Sequence, residues 1–108
     1  MLALEIGHTI KWATENAQGE VVFPQSQSSR TNPGQALIKW LNEITPDAVC
    51  YLQRVSDPIY RKYLEYLFLW CAENDVKHKG FPEDLVRKYG REEPSPKTLL
   101  KFAKNHRW

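Results

Sequence analysis

The sequence predicts an α/β domain: a mixed sheet with an antiparallel hairpin at its N-terminal end, then parallel strands, and helices packed against it. Three observations carry this. Leu2–Ile6 and Ala48–Leu52 are short apolar runs of strand length. Two proline-initiated segments, at Pro33 and Pro58, place apolar residues three and four apart. The two kinds of segment alternate along the chain, which favours parallel strands joined by helices.

Taken in order, Leu2–Ile6 is the first strand and Gly7 ends it. Thr9–Thr14 is a second strand, and Asn16-Ala17-Gln18-Gly19 supplies turn residues before a third at Glu20–Phe23. Gln25–Arg30 is polar and reads as an exposed loop. Asn32-Pro33 caps and starts a helix whose apolar face is Ala36, Leu37, Trp40, Leu41 and Ile44, and Pro46 stops it. Ala48–Leu52 suits a buried parallel strand. Asp57-Pro58 opens the strongest helix, with Tyr60, Tyr63, Leu64, Leu67, Trp70 and Cys71 as its packing stripe. Asp75–Phe81 is a short polar strand, and Pro82–Tyr89 a short helix closed by Gly90. Ser95-Pro96 then starts a last helix that buries Leu99, Leu100, Phe102 and Ala103.

The 108 residues suffice for one domain, and 42% hydrophobic content with four Trp, five Tyr and four Phe excludes a disordered chain. No apolar run approaches the roughly 20 residues that span a bilayer, so no membrane partner is expected. Without a secretory leader, and with Cys50 and Cys71 as buried free thiols, a cytoplasmic protein is expected. Charge is uneven. Residues 1–76 hold six Lys/Arg against nine Asp/Glu, a net of −3, whereas residues 77–108 hold nine against four, a net of +5. Lys77, Lys79, Arg87, Lys88, Arg91, Lys97, Lys101, Lys104 and Arg107 make up this basic third, the candidate nucleic-acid-binding set. Lys97, Lys101 and Lys104 recur at helical spacing and can follow a phosphate backbone without reading sequence. Tyr89 and Trp108 lie among these charges as candidate stacking residues, while Phe102 belongs to the core.

Other chemistries find no support in the residues. His8, His78 and His106 have no metal-ligand spacing, and Ser26, Ser28 and Ser29 lie in no nucleophile-elbow sequence. Gly7, Gly19, Gly34, Gly80 and Gly90 are isolated, so there is no phosphate-cradling glycine loop.

The element order and three local segments resemble the RuvC-type Holliday-junction resolvases and their bacteriophage relatives, of the ribonuclease-H-like superfamily. The segments are Leu2–Ala13, with its strand, glycine turn and Trp-Ala step; Asp47–Val55 as central strand; and Leu67–Val76 leading to the next strand. Lys97 lies near a basic residue of the family's late helix. The resemblance implies a ribonuclease-H-like mixed sheet, a common dimeric state, and Glu5 as the first-strand acid, catalytic and metal-binding. Two metal ions about 4 Å apart, magnesium or manganese, need several such carboxylates.

The departures from the family shape the functional expectation. Glu5 stands where the family has Asp. The central strand, which ends on Glu in the family, reads Leu52-Gln53-Arg54 here, and the family's C-terminal acids find no counterpart before Trp108. Glu65, Glu83, Asp84, Glu92 and Glu93 are the remaining acids that could substitute. The leading expectation is a single domain, 1–108, that binds branched or structured DNA, a four-way junction included, without cutting it and without a cofactor. Two alternatives stand beside it. One is an active Mg²⁺- or Mn²⁺-dependent junction endonuclease. The other is a phage-made inhibitor that meets a host protein through its basic face; a homodimer through exposed members of the Tyr60–Trp70 stripe fits either.

Overall fold

A computed structural model describes residues 1–7, 9–21, 33–53, 58–90 and 94–105. Its elements in chain order are β1 (Leu2–Ile6), β2 (Ile10–Ala13), β3 (Gln18–Val21), α1 (Pro33–Ile44), β4 (Ala48–Gln53), α2 (Pro58–Asn74), β5 (Lys77–Pro82), α3 (Glu83–Gly90) and α4 (Pro96–Asn105). Among the described residues the strands form one sheet in the order β3-β2-β1-β4-β5. β1–β2 and β2–β3 are antiparallel, β1–β4 and β4–β5 parallel. This is the mixed α/β sheet that the alternation of elements predicts.

The sheet has two apolar faces, and strand alternation divides the core between them. Leu2, Leu4, Ile6, Ile10, Val49 and Tyr51 face α1 and α2, meeting Leu37, Leu41, Tyr60, Tyr63, Leu67 and Trp70. Ala3, Cys50, Leu52 and Phe81 face α3 and α4, meeting Val86, Leu99, Leu100, Phe102 and Ala103. Handedness explains the division. The connections β1-to-β4 and β4-to-β5 step across the sheet in one direction, so right-handed crossovers bring α1 and α2 to the same face. The two helices after β5 cover the other. The α2 stripe is core as predicted, but Phe68 and Leu69 on the same helix stay exposed.

Local chemistry sets the element ends. Thr45 and Asp75 adopt left-handed φ values of 47° and 55° just after α1 and α2. In that geometry the Thr45 N–H donates to the Leu41 carbonyl and the Val76 N–H to that of Cys71, satisfying carbonyls the helices leave open. Ser95 caps α4 as expected: its Oγ accepts from the Thr98 N–H at 3.2 Å. The hairpin turn is a correction. It is held by Thr14, whose N–H donates to the Ala17 carbonyl at 2.7 Å, and Gly19 lies inside β3 rather than in the turn. Gly90 is a second correction, since no glycine has positive φ. A Cβ there would stand 2.5 Å from Thr98 Cγ2, so Gly90 lets α3 close onto α4 instead of forming a left-handed cap. Asn32, Asp57, Phe23 and the loop at Gln25–Arg30 lie outside the described residues.

Gly34 does for α1 and α2 what Gly90 does for the other pair. A Cβ at Gly34 would fall 2.0 Å from Tyr66 Cδ2 and 2.4 Å from its Cγ, too close for a ring rotation to relieve. Gly34→Ala is expected to lower unfolding free energy by about 1–3 kcal/mol, despite alanine's better helix propensity. Urea denaturation checks this, and an unchanged midpoint would contradict the close approach of the two helices.

Cys50 and Cys71 are free and buried. Burial pushes their thiols up to about 12 and about 11, so both are un-ionised and poorly reactive at neutral pH. No described helix is long and apolar enough to cross a membrane.

Candidate nucleic-acid interface

Glu5 lies near the C-terminal end of β1, half-buried, two residues beyond Ala3 and so on the α4 side of the sheet. Its antiparallel partner on β2 is Lys11, whose own partner on β3 is Glu20. On the other side, the parallel register ends at Leu4↔Tyr51, and its extension by one residue points Leu52 toward Glu5. The row that crosses the sheet is thus Leu52, Glu5, Lys11, Glu20.

That row changes the reading of the central strand. The sequence draws attention to Gln53 and Arg54 as the departures from an acidic position. In the fold, Gln53 alternates to the opposite face with Tyr51, and both would crowd a Cβ at Gly80, at 2.7 and 2.6 Å. Arg54 lies outside the described residues. The neighbour of Glu5 is Leu52, fully buried among Phe81, Val86 and the apolar side of α4. Its carbonyl accepts the Tyr60 hydroxyl at 2.9 Å, which anchors the end of β4 to α2.

These residues do not fit a two-cation site. Divalent cations of the magnesium type take oxygen ligands, and Glu5 has a hydrocarbon on one side and an ammonium-bearing residue on the other. Among the described residues no group of three or more His, Cys, Asp and Glu side chains is placed to hold a metal ion. Of the substitute acids, Glu65 stands on α2, across the sheet from Glu5. Glu83 meets Arg87 at 3.8 Å one turn along α3, with Asp84 beside it in the first turn. Glu92 and Glu93 lie outside the described residues.

The basic third comes together on one side of the sheet. In β5, Lys77 and Lys79 alternate with His78 and share the face of Phe81; the Lys79 ammonium lies 5.5 Å from the Phe81 ring centroid. His78 points the other way and packs on Phe68, with centroids 4.7 Å apart. Arg87 and Lys88 are exposed on α3, and Lys97, Lys101 and Lys104 on α4. The α3/α4 layer and its edge strand therefore carry seven cationic side chains against Glu83 and Asp84. The α1/α2 layer opposite balances Lys39, Arg61 and Lys62 against Glu43, Glu65 and Glu73. Arg91 and Arg107 of the predicted set, and His8, His106 and Trp108, lie outside the described residues.

Not every cation in the layer is equally available. Lys104 Nζ sits 3.5 Å from Glu15, which also takes the Met1 amine at 3.2 Å. A hydrogen bond from its own backbone, and after it that amine and Lys104, hold the Glu15 carboxyl below its ordinary range. Tyr89, one of the candidate stacking residues, is exposed but accepts the Asn105 amide and stands edge-on to Phe102. Phe102 is buried, as expected.

A groove of about 370 Å³ runs between the β2–β3 hairpin and the start of α4. Its polar lining is Lys11, Gln18, Glu20, Ser95 and Lys97. A smaller hollow of about 230 Å³ continues along the hairpin turn and also ends on Lys97. Lys11 is the residue that sequence reasoning missed. It sits alone in an apolar strand of the acidic portion, and pairing between strands is what brings it to the α4 side.

No protein-family model matches the sequence, and no curated protein matches it. Solved structures do. The structure of Thermus thermophilus RuvC in complex with a Holliday junction substrate aligns over 94% of this chain and 87% of its own, with 16% identity and a TM-score of 0.55. A second T. thermophilus RuvC structure aligns over 82% of this chain and 68% of its own, with 11% identity and a TM-score of 0.51. With helices on both faces of a β3-β2-β1-β4-β5 sheet, the chain has the ribonuclease-H-like fold of RuvC.

Proposed function

We propose that the chain binds nucleic acid through its α3/α4 layer, with branched DNA as the preferred form, and that it does not cut what it binds. The observation that carries this reading is the gathering of Lys77, Lys79, Arg87, Lys88, Lys97 and Lys101 on one face, beside a groove. The structural neighbour in complex with a Holliday junction supports the choice of ligand. The reading without cutting is supported by the surroundings of Glu5, whose partner on β2 is Lys11 and which lies one residue past the last β1–β4 pair, toward Leu52.

Fluorescence anisotropy with a four-way junction and a linear duplex of equal length, across a range of salt, tests the binding. The junction is expected to bind more tightly, with log K falling against log salt at a slope of about −4.5, as for roughly five neutralised phosphates. Negligible binding to both forms would end the proposal. Incubation with Mg²⁺ or Mn²⁺ is expected to leave the junction intact. Cleavage that disappears in Glu5→Gln would instead establish the endonuclease reading.

A further inference from the structure

Four large apolar side chains are exposed among the described residues, and they form two pairs. Phe68 and Leu69 stand on α2, in the layer whose charges balance. Leu85 and Tyr89 stand on α3, in the cationic layer, 48% and 43% exposed. Four residues apart, they lie one above the other on the same side of that helix. Lys88 is exposed beside them in sequence, and Lys101 is exposed on α4 one turn before Asn105.

The Tyr89 ring is fastened twice. Its hydroxyl accepts the Asn105 amide, and the ring stands edge-on to Phe102, with centroids 5.5 Å apart and planes at 81°. Phe102 is buried and packs edge-on to Phe81 in turn, at 5.2 Å. An edge-on neighbour covers at most one face of a ring, and the exposure of Tyr89 shows that much of it meets solvent. A ring already fixed in this way loses little freedom when a second flat surface settles on it. Apolar surface among cations suits a ligand that is flat and apolar in one part and anionic in another. A nucleobase with its phosphate has that form, and its face is open only where the base is unpaired and unstacked. Asp84, exposed next to Leu85, is the opposing charge on this helix.

We propose that Leu85 and Tyr89 form a stacking platform for an unpaired base, so that the DNA bound best carries a single-stranded segment beside its duplex arms. The proposal rests on the nucleic-acid reading above and adds the part of the ligand that the α3 face takes. Lys88 and Lys101 hold the phosphates on either side of the stacked base.

The test measures anisotropy of the full chain with three DNA forms. One is a forked duplex with single-stranded thymine arms. The second is the same fork with abasic arms, which keeps every phosphate and removes the bases. The third is a four-way junction with fully paired arms. The wild type is expected to bind the thymine fork about tenfold more tightly than the abasic fork, the scale of one base on an aromatic ring. Tyr89→Ala should bind the two forks alike and change junction affinity less than about twofold. Tyr89→Phe, which keeps the ring, should retain most of the preference, and Leu85→Ala should lose about threefold of it. The salt slope should stay the same in all three variants, because no phosphate contact is removed. Leu69→Ala on the opposite layer should leave every affinity unchanged. The comparison of forks on the wild type stands on its own if Tyr89→Ala does not fold, with Leu85→Ala then the variant that tests the platform. A wild type that binds the two forks equally overturns the proposal while leaving the nucleic-acid reading intact, and would assign the patch to a protein partner. Equal losses from both forks in Tyr89→Ala overturn it too, since they mark a packing role. A wild type that binds none of the three forms overturns both readings.

Discussion

Leu52→Glu is expected to destabilise the fold by about 4 kcal/mol, a large part of the total stability of a small domain. Leu52 is fully buried and packs with Phe81, Val86, Leu99 and Phe102. The substitution removes that apolar contact and sets a carboxyl in the same place, on the face of the sheet that also carries Glu5, one residue past the last pair of the β1–β4 ladder. Burial and the neighbouring carboxylate both raise the folded-state pKa of the introduced group. The variant is therefore least impaired below about pH 4, where the group is protonated in folded and unfolded chains alike. Its deficit grows as pH rises and the unfolded chain ionises more readily than the folded one. Urea titrations at pH 4 and pH 7.5 measure this, with Leu52→Met as the volume-conserving control, expected to lose less than about 1.5 kcal/mol. A Leu52→Glu chain as stable as the wild type at pH 7.5 would mean that the position opens to water, as a metal-binding position would. The assignment of Leu52 to the core would then fail.

Reversing charge on α4 is expected to have the largest effect on binding. Lys97→Glu with Lys101→Glu changes the charge of the α4 face by four units. Junction affinity should fall about 100-fold or more at low salt. The salt slope should shrink by about 2 if each lysine neutralises one phosphate. Both side chains are exposed, so thermal stability is expected to stay close to that of the wild type. Lys104 is left out of the pair because its contact with Glu15 would mix stability with affinity. The matched reversal on the opposite layer, Lys39→Glu with Lys62→Glu, should change affinity less than threefold. Equal losses from the two pairs would point to net charge alone and against a binding face on α3 and α4.

The prolines at 33, 58 and 96 begin helices because their signal is confined to a few neighbouring residues. The periodic burial of Leu37, Leu41, Tyr63, Leu67, Leu99 and Ala103 is likewise written in spacing along the chain. From these local signals the α/β order, the boundaries of β1, the start of α4 and most of the core follow. The basic third is legible too, since charge can be counted without a fold. What it covers is not. Lys77 and Lys79 join α3 and α4 on one face because β5 alternates and the crossovers have a fixed hand. The neighbours of Glu5 were hidden for a related reason. Lys11 is paired with it across the β1–β2 ladder, and Leu52 is brought to the same face by the β1–β4 register, so a shift of one residue in either would have turned Trp12 or Gln53 toward it instead. Register is a property of the assembled sheet, and here it settles which side chains share the face of Glu5.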